Sequence, residues 1–195
     1  VPSIEIKKAP TVIGAVDENG NSYLIVLTPL VDTETLDEDA KNQLLGAYDK
    51  LKEEQDITTL SEELKKIAEN KKIPAKNLIV KDLFDISIEG EFKGNVITIT
   101  LTADQLTNFV GLMHYQDGKW TLIDDAKVVN GNQLTFSKDA LGATGSIGSF
   151  AIIVDSGAPT SPETGVQLPF ALIAVAVMFA GAAVVFFVKS KKVTE

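Results

Sequence analysis

Val96-Ile97-Thr98-Ile99-Thr100-Leu101-Thr102 is the stretch from which the fold reads. Apolar Ile97, Ile99 and Leu101 alternate with three threonines. Successive side chains of a strand point to opposite faces, so this period of two predicts a β-strand with the apolar set on a core and the threonines toward water. A strand with one wet face belongs to an antiparallel sheet rather than a buried parallel one.

Working toward the C-terminus, Leu112 to Tyr115 and Lys119 to Ile123 flank Asp117-Gly118, and Lys127 to Val129 and Gln133 to Phe136 flank Asn130-Gly131. Both dipeptides suit tight hairpin turns. Phe150 to Val154 predicts a last strand, and Asp155 to Thr160 a small-residue linker. Toward the N-terminus, Thr11 to Val16 and Ser22 to Thr28 are β-rich runs around Asp17-Glu18-Asn19-Gly20-Asn21, which reads as one hairpin closed by Pro29.

Between these strands the period changes. Leu36, Ala40, Leu44, Ala47, Tyr48 and Leu51 recur at spacings of three and four behind Asp37, Glu38 and Asp39, predicting an amphipathic helix. A shorter one follows, with Thr59 and Glu62 as a capping box, Leu60, Leu64, Ile67 and Ala68 on one face, and Pro74 as its stop. The run Leu78 to Ile88 is a natural sheet partner for both. The expected fold is therefore α+β over residues 1–155: an antiparallel, sandwich-like β region with a helical pair (about 36–72) packed on it and a β-rich second half (about 78–155). One domain or two are both compatible with the pattern.

The remainder reads as a linker with a motif (156–165), a transmembrane helix (166–188) and a basic tail (189–195). The 21 residues from Leu168 to Val188 are apolar, and at about 1.5 Å per residue such a helix is about 31 Å long, matching a hydrocarbon core of about 30 Å. Lys189, Lys191 and Lys192 follow as a stop signal, which places the C-terminus in the cytoplasm and everything before Gly165 outside. Only seven residues follow the span, too few for a signalling domain, so inward signalling would need a partner helix. Export without an apolar leader in the first thirty residues implies that Val1 follows a removed signal peptide or an artificial start.

Ser161-Pro162-Glu163-Thr164-Gly165, the apolar span and the lysines together resemble the cell-wall sorting signal of Gram-positive surface proteins, in which Leu-Pro-x-Thr-Gly precedes a span and a basic tail; here Ser161 stands for the leucine. The resemblance implies that a sortase cleaves Thr164–Gly165 with a cysteine and transfers the threonine carbonyl to an amino group of a peptidoglycan precursor. Proline keeps such a substrate extended and glycine leaves little bulk beyond the scissile carbonyl. Residues 85–165, with Gly118-Lys119-Trp120 and Ala151-Ile152-Ile153-Val154-Asp155, are also similar to the β-rich module preceding sorting signals in clostridial surface proteins. The partners implied are a sortase, a peptidoglycan precursor, the membrane in passing or permanently, and an extracellular ligand of unknown identity.

Composition narrows the rest. Without cysteine there is no disulfide, thiolate metal site or cysteine nucleophile. All 18 basic residues are lysine against 27 acids, a net charge of −9, which disfavours nucleic acid as a partner. His114 is the single histidine and, on a strand beside Met113 and Tyr115, reads as structural. Trp120, across the Asp117-Gly118 turn, is a packing residue or an aromatic platform for a glycan.

Asp17, Asn19 and Asn21 alternate as a calcium loop begins, but Ser22 and Thr28 stand where its glycine and glutamate belong, so a turn is expected. Asp32, Glu34, Asp37, Glu38 and Asp39 are explained by a helix N-terminus. Gly142, Gly145 and Gly148 precede a strand, not the helix a phosphate loop needs. No catalytic residue, metal ligand or cofactor site is expected. The reading is a non-enzymatic, wall-anchored surface protein for adhesion, binding or spacing; the alternatives are a small extracellular glycan-acting enzyme on the same anchor, or a plain single-pass membrane protein that no sortase processes.

Overall fold

Ile97, Ile99 and Leu101 do lie on a core face, at most 1% exposed, and Thr98 and Thr100 alternate with them as half-buried residues. In the computed structural model, which describes residues 9–102, 104–137 and 145–158, the strands are β1 (Val12–Asp17), β2 (Ser22–Tyr23), β3 (Ile25–Pro29), β4 (Leu78–Ile88), β5 (Val96–Leu101), β6 (Phe109–Gln116), β7 (Lys119–Leu122), β8 (Lys127–Val129), β9 (Gln133–Ser137) and β10 (Gly145–Asp155). They form two antiparallel sheets, ordered β2-β1-β5-β9-β8 and β3-β4-β10-β6-β7.

The space between the sheets is filled by Ile97, Ile99, Leu101, Leu134 and Phe136 from the first and Phe84, Ile86, Leu112, Phe150 and Ile152 from the second. Two helices, α1 (Glu38–Glu53) and α2 (Glu62–Lys71), cover the other face of the second sheet. Leu44, Ala47, Leu51, Leu64 and Ala68 pack there with Leu78, Val80, Leu83, Met113, Ala151 and Ile153. Each leucine so buried stabilises the layer by about 1.5–3 kcal/mol. The three-layer order explains a difference in the sequence: β5 alternates because one of its faces is open, whereas β4, β6 and β10 are buried on both faces and read as nearly continuous apolar runs. Gly46 brings α1 close, since a Cβ there would lie 3.4 Å from Tyr115 Oη.

Caps set the helix starts. The Asp37 side chain accepts from Ala40 N at 2.8 Å, and the Ser61 side chain from Leu64 N at 3.3 Å. The second cap corrects the expected Thr59–Glu62 box: the single Thr59 hydroxyl hydrogen is instead shared between the Asp56 carbonyl at 2.6 Å and Glu54 Oε2 at 2.9 Å, in the short 3-10 turn Ile57–Leu60. α2 ends at Lys72, in the left-handed region, with Ile73 N returning to Ala68 O at 2.8 Å, so the helix stops before Pro74 is reached.

The N-terminal hairpin is also corrected. Only Ser22 and Tyr23 pair with β1; at exposed Leu24 the chain crosses to the other sheet, where Ile25–Pro29 pairs with β4 as an edge strand. One β-rich run thus serves both sheets, making a corner of the sandwich. The last strand starts earlier than expected, at Gly145, with a bulge between Ser146 and Ser149.

The described residues belong to one compact unit, Val1–Ala158, divided from Pro159–Glu195. The transmembrane helix expected at 166–188 and the basic tail lie outside the described residues, among which no helix is long and apolar enough to cross a membrane.

Candidate functional site

The residues expected to form a sorting motif, Ser161, Pro162, Glu163, Thr164 and Gly165, lie outside the described residues, as do the expected stop-signal lysines Lys189, Lys191 and Lys192. What the structure does place is the point from which the chain leaves for them. β10 delivers Asp155 to one end of the second sheet, and there the chain is fastened rather than released. Asp155 N donates to Asn108 O at 3.0 Å, and Ser156 N and Oγ both donate to Asn77 O at 2.8 Å. Gly157 N returns to Asp155 Oδ1 at 2.9 Å, and Asn108 Nδ2 reaches Ala158 O at 3.5 Å.

Position 157 has little room for a side chain, since a Cβ there would fall 1.9 Å from Asn77 Nδ2 and 2.6 Å from its Cγ. The expected linker over Asp155 to Thr160 is therefore corrected: its first four residues are a fixed exit turn. Asn77 comes from the end of the 3-10 turn Ala75–Asn77, just before β4, and Asn108 from the residue before β6, so the turn is held by the strands flanking β10. Nothing local in Ser156-Gly157-Ala158 announces this, because both holding residues are distant in sequence.

His114 and Trp120 sit on opposite sides of the same sheet. His114 is 7% exposed and stacks on Phe150 with ring centroids 4.5 Å apart and 14° between planes, a packing arrangement. Beside it lies a hollow of about 360 Å³ lined by His114, Gln116, Thr121, Leu122, Ile123, Asp124, Asp125 and Ser137. Its two carboxylates are exposed neighbours on one turn rather than a facing pair. Trp120 is 4% exposed under the helical layer and packs on Tyr115 at 5.2 Å, which overturns the glycan-platform alternative, since a buried indole offers no face to a sugar.

Asp17 is a turn residue. Its carboxylate accepts from Asn19 N, Asn21 N, Asn21 Nδ2 and Tyr23 Oη. Burial pushes its carboxyl up, but the hydrogen bonds from Asn21, Asn19 and Tyr23 outweigh this and hold it below the usual value. Glu18 beside it accepts from Asn95 N and Val96 N at 2.9–3.0 Å, tying the β1–β2 turn to the start of β5; those amides lower its carboxyl too. Asp37 is the α1 cap already described, with Glu38 and Asp39 in the first turn, and Asp32 lies in the 3-10 turn before it. Among the described residues no cluster of three or more histidine or carboxylate groups is arranged to hold a metal ion.

Two buried carboxylates escaped the sequence reading. Thr28, Asp85, Ser149 and Tyr115 are partners across four adjacent strands, a polar row beneath α1, in which Ser87 Oγ donates to Asp85 Oδ1 at 3.1 Å. On the same strand Asp82, 6% exposed, has one oxygen, Oδ2, without a hydrogen-bond partner. Burial raises its carboxyl to about 6 against the attraction of Lys81, whose Nζ donates to the carbonyls of Asp104 and Gln105. An acidic residue inside an otherwise apolar run was the available signal for both.

Comparison with protein families, with curated proteins and with solved structures yields no match to this chain.

Proposed function

We propose that this chain is a non-enzymatic surface protein of a Gram-positive bacterium, exported, held first by the helix 166–188 and then joined to peptidoglycan through Thr164. The observation that carries the reading is the order Ser161–Gly165, apolar span, Lys189-Ser190-Lys191-Lys192, set directly behind a folded unit that ends at Ala158. In the reaction, an enzyme thiolate attacks the Thr164 carbonyl, and the Thr164–Gly165 bond breaks as the glycine nitrogen takes a proton and leaves with the span. An amine of the peptidoglycan precursor then displaces the thiolate to form a new amide. The lysine-stopped span holds the motif near a membrane-bound enzyme and raises its effective concentration.

The unit before the motif is suited to adhesion, binding or spacing. Its strength comes from two packed apolar clusters with no disulfide.

Cell fractionation with mass spectrometry of the C-terminus tests this. Release by a peptidoglycan hydrolase, with Thr164 bearing a wall peptide, supports the proposal. An intact tail recovered in detergent extracts would point to the plain anchor instead. Thr164→Ala should abolish wall linkage and leave the sandwich folded, because residue 164 lies outside the unit that ends at Ala158.

A further inference from the structure

Where the fold stops governs how a processing enzyme has to approach. Ser156 and Gly157 are held against Asn77, and Ala158, the last of the described residues, accepts a hydrogen bond from Asn108. Only Pro159 and Thr160 separate it from Ser161. At about 3.3–3.6 Å per extended residue, the three steps from Ala158 to Ser161 span no more than about 11 Å and the six to Thr164 about 21 Å. A globular enzyme of about 150 residues has a radius of gyration of about 15 Å. Such a body cannot enclose Ser161–Gly165 in a surface cleft without bringing its own surface against the exit end of the sandwich.

The surface waiting there has a definite charge. Between Asn70 and Asn77 the chain carries Lys71, Lys72 and Lys76 and no acid, so that with Asp155 of the exit turn this end keeps a net charge of +2 although the whole protein has −9. All three lysines are exposed. The loop is fixed at both ends, by Ile73 N on Ala68 O and by the Asn77 carbonyl that receives Ser156. Its lysines are therefore presented in a constant relation to the outgoing chain.

We infer that residues 70–77 and the exit turn Asp155–Ala158 form a docking surface for the transpeptidase, complementary to an acidic patch beside that enzyme's cleft. The inference rests on reading residues 161–165 as its substrate. Recognition is then divided: the motif supplies the scissile bond, and the folded end supplies orientation and electrostatic attraction. Charges at the rim of such a contact act chiefly on association and on its salt dependence.

The test compares kcat/KM for the cognate transpeptidase acting on five substrates: the full chain in detergent micelles, a synthetic peptide of residues 159–167, the full chain with Lys71→Glu and Lys76→Glu, the full chain with about twelve Gly/Ser residues inserted after Ala158, and that elongated chain carrying both charge reversals. The full chain should be cut about tenfold faster than the peptide at low salt, and the double variant and added salt should each remove most of that advantage. In the elongated chain the charge reversals should no longer matter. Equal rates for chain and peptide, or indifference to both charge reversal and insertion, overturn the inference while leaving the motif's role intact. If neither peptide nor chain is cut, the underlying reading falls and the docking surface with it. Unchanged urea midpoints verify that the variants fold, and the insertion alone, which should bring the rate toward that of the peptide, decides the matter if the double variant does not.

Discussion

Gly148 stands directly against His114: a Cβ on residue 148 would lie 2.5 Å from the imidazole Nε2, at a backbone φ of +111°. The bulge in β10 and the seat of the only histidine are thus one feature. Gly148→Ala adds an unfavourable φ and a clash with a ring that Phe150 already holds in a stack, so it should destabilise the unit by about 2–4 kcal/mol, read as a lowered midpoint in urea unfolding.

Asp82 should make part of the stability depend on pH in the direction opposite to an ordinary paired carboxylate. Its carboxyl is raised to about 6 in the fold, from 3.8, so the native state binds the proton more tightly than the unfolded chain. This contribution is fully present below pH 3.8 and is lost as the pH rises through about 6. Asp82→Asn should remove this dependence and, at pH 7.5, recover about 1–3 kcal/mol relative to the native chain, compared with the difference at pH 4. Urea unfolding of both proteins at the two pH values measures it.

Glu18 works in the usual sense. The amides of Val96 and Asn95 favour its charged form and hold its carboxyl below 4.5, so its contribution is present above that pH and fades as acid titrates it. Glu18→Gln should flatten the acid side of the stability profile below pH 4.5. Hydrogen exchange at the Asn95 and Val96 amides should quicken near neutral pH, because these amides are the groups the carboxylate holds.

Gly157→Val should loosen the exit turn without unfolding the sandwich. The new side chain displaces Asn77, and the cost stays near about 1–2 kcal/mol because Ser156 and Gly157 are exposed and the asparagine side chain is able to swing aside. Limited proteolysis after Asp155 should accelerate while the two apolar clusters keep their protection from exchange.

Much of this architecture was legible. β5 and the hairpins at Asp117-Gly118 and Asn130-Gly131 were readable because alternation and turn chemistry are local, and positive φ at Asp117, Gly118, Asn130 and Gly131 is what those dipeptides supply. The helical periods located α1 and α2 for the same reason. The switch at Leu24 was not readable, since Ser22 to Thr28 has a uniform β character and only the competition between two sheets divides it. The α2 cap was misassigned between two hydroxyls two residues apart, where the winner depends on Asp56 and Glu54 engaging the threonines. The exit turn was invisible because Asn77, its anchor, is 79 residues from Ser156. The proposed sorting motif is the reverse case, read from sequence alone and lying beyond the described residues.

β10 is the middle strand of its sheet, flanked on both sides by antiparallel partners along most of its length. On the proposed anchoring, tension from the wall would enter this strand at its C-terminal end, first through the turn on Asn77. Ladder hydrogen bonds run across the strands, so a pull along β10 loads two rows in shear together, where an edge strand has only one row to share the load. The rate of forced unfolding is set by the barrier to rupture rather than by equilibrium stability. A surface protein tethered through β10 would resist flow by geometry, with no disulfide inside the fold.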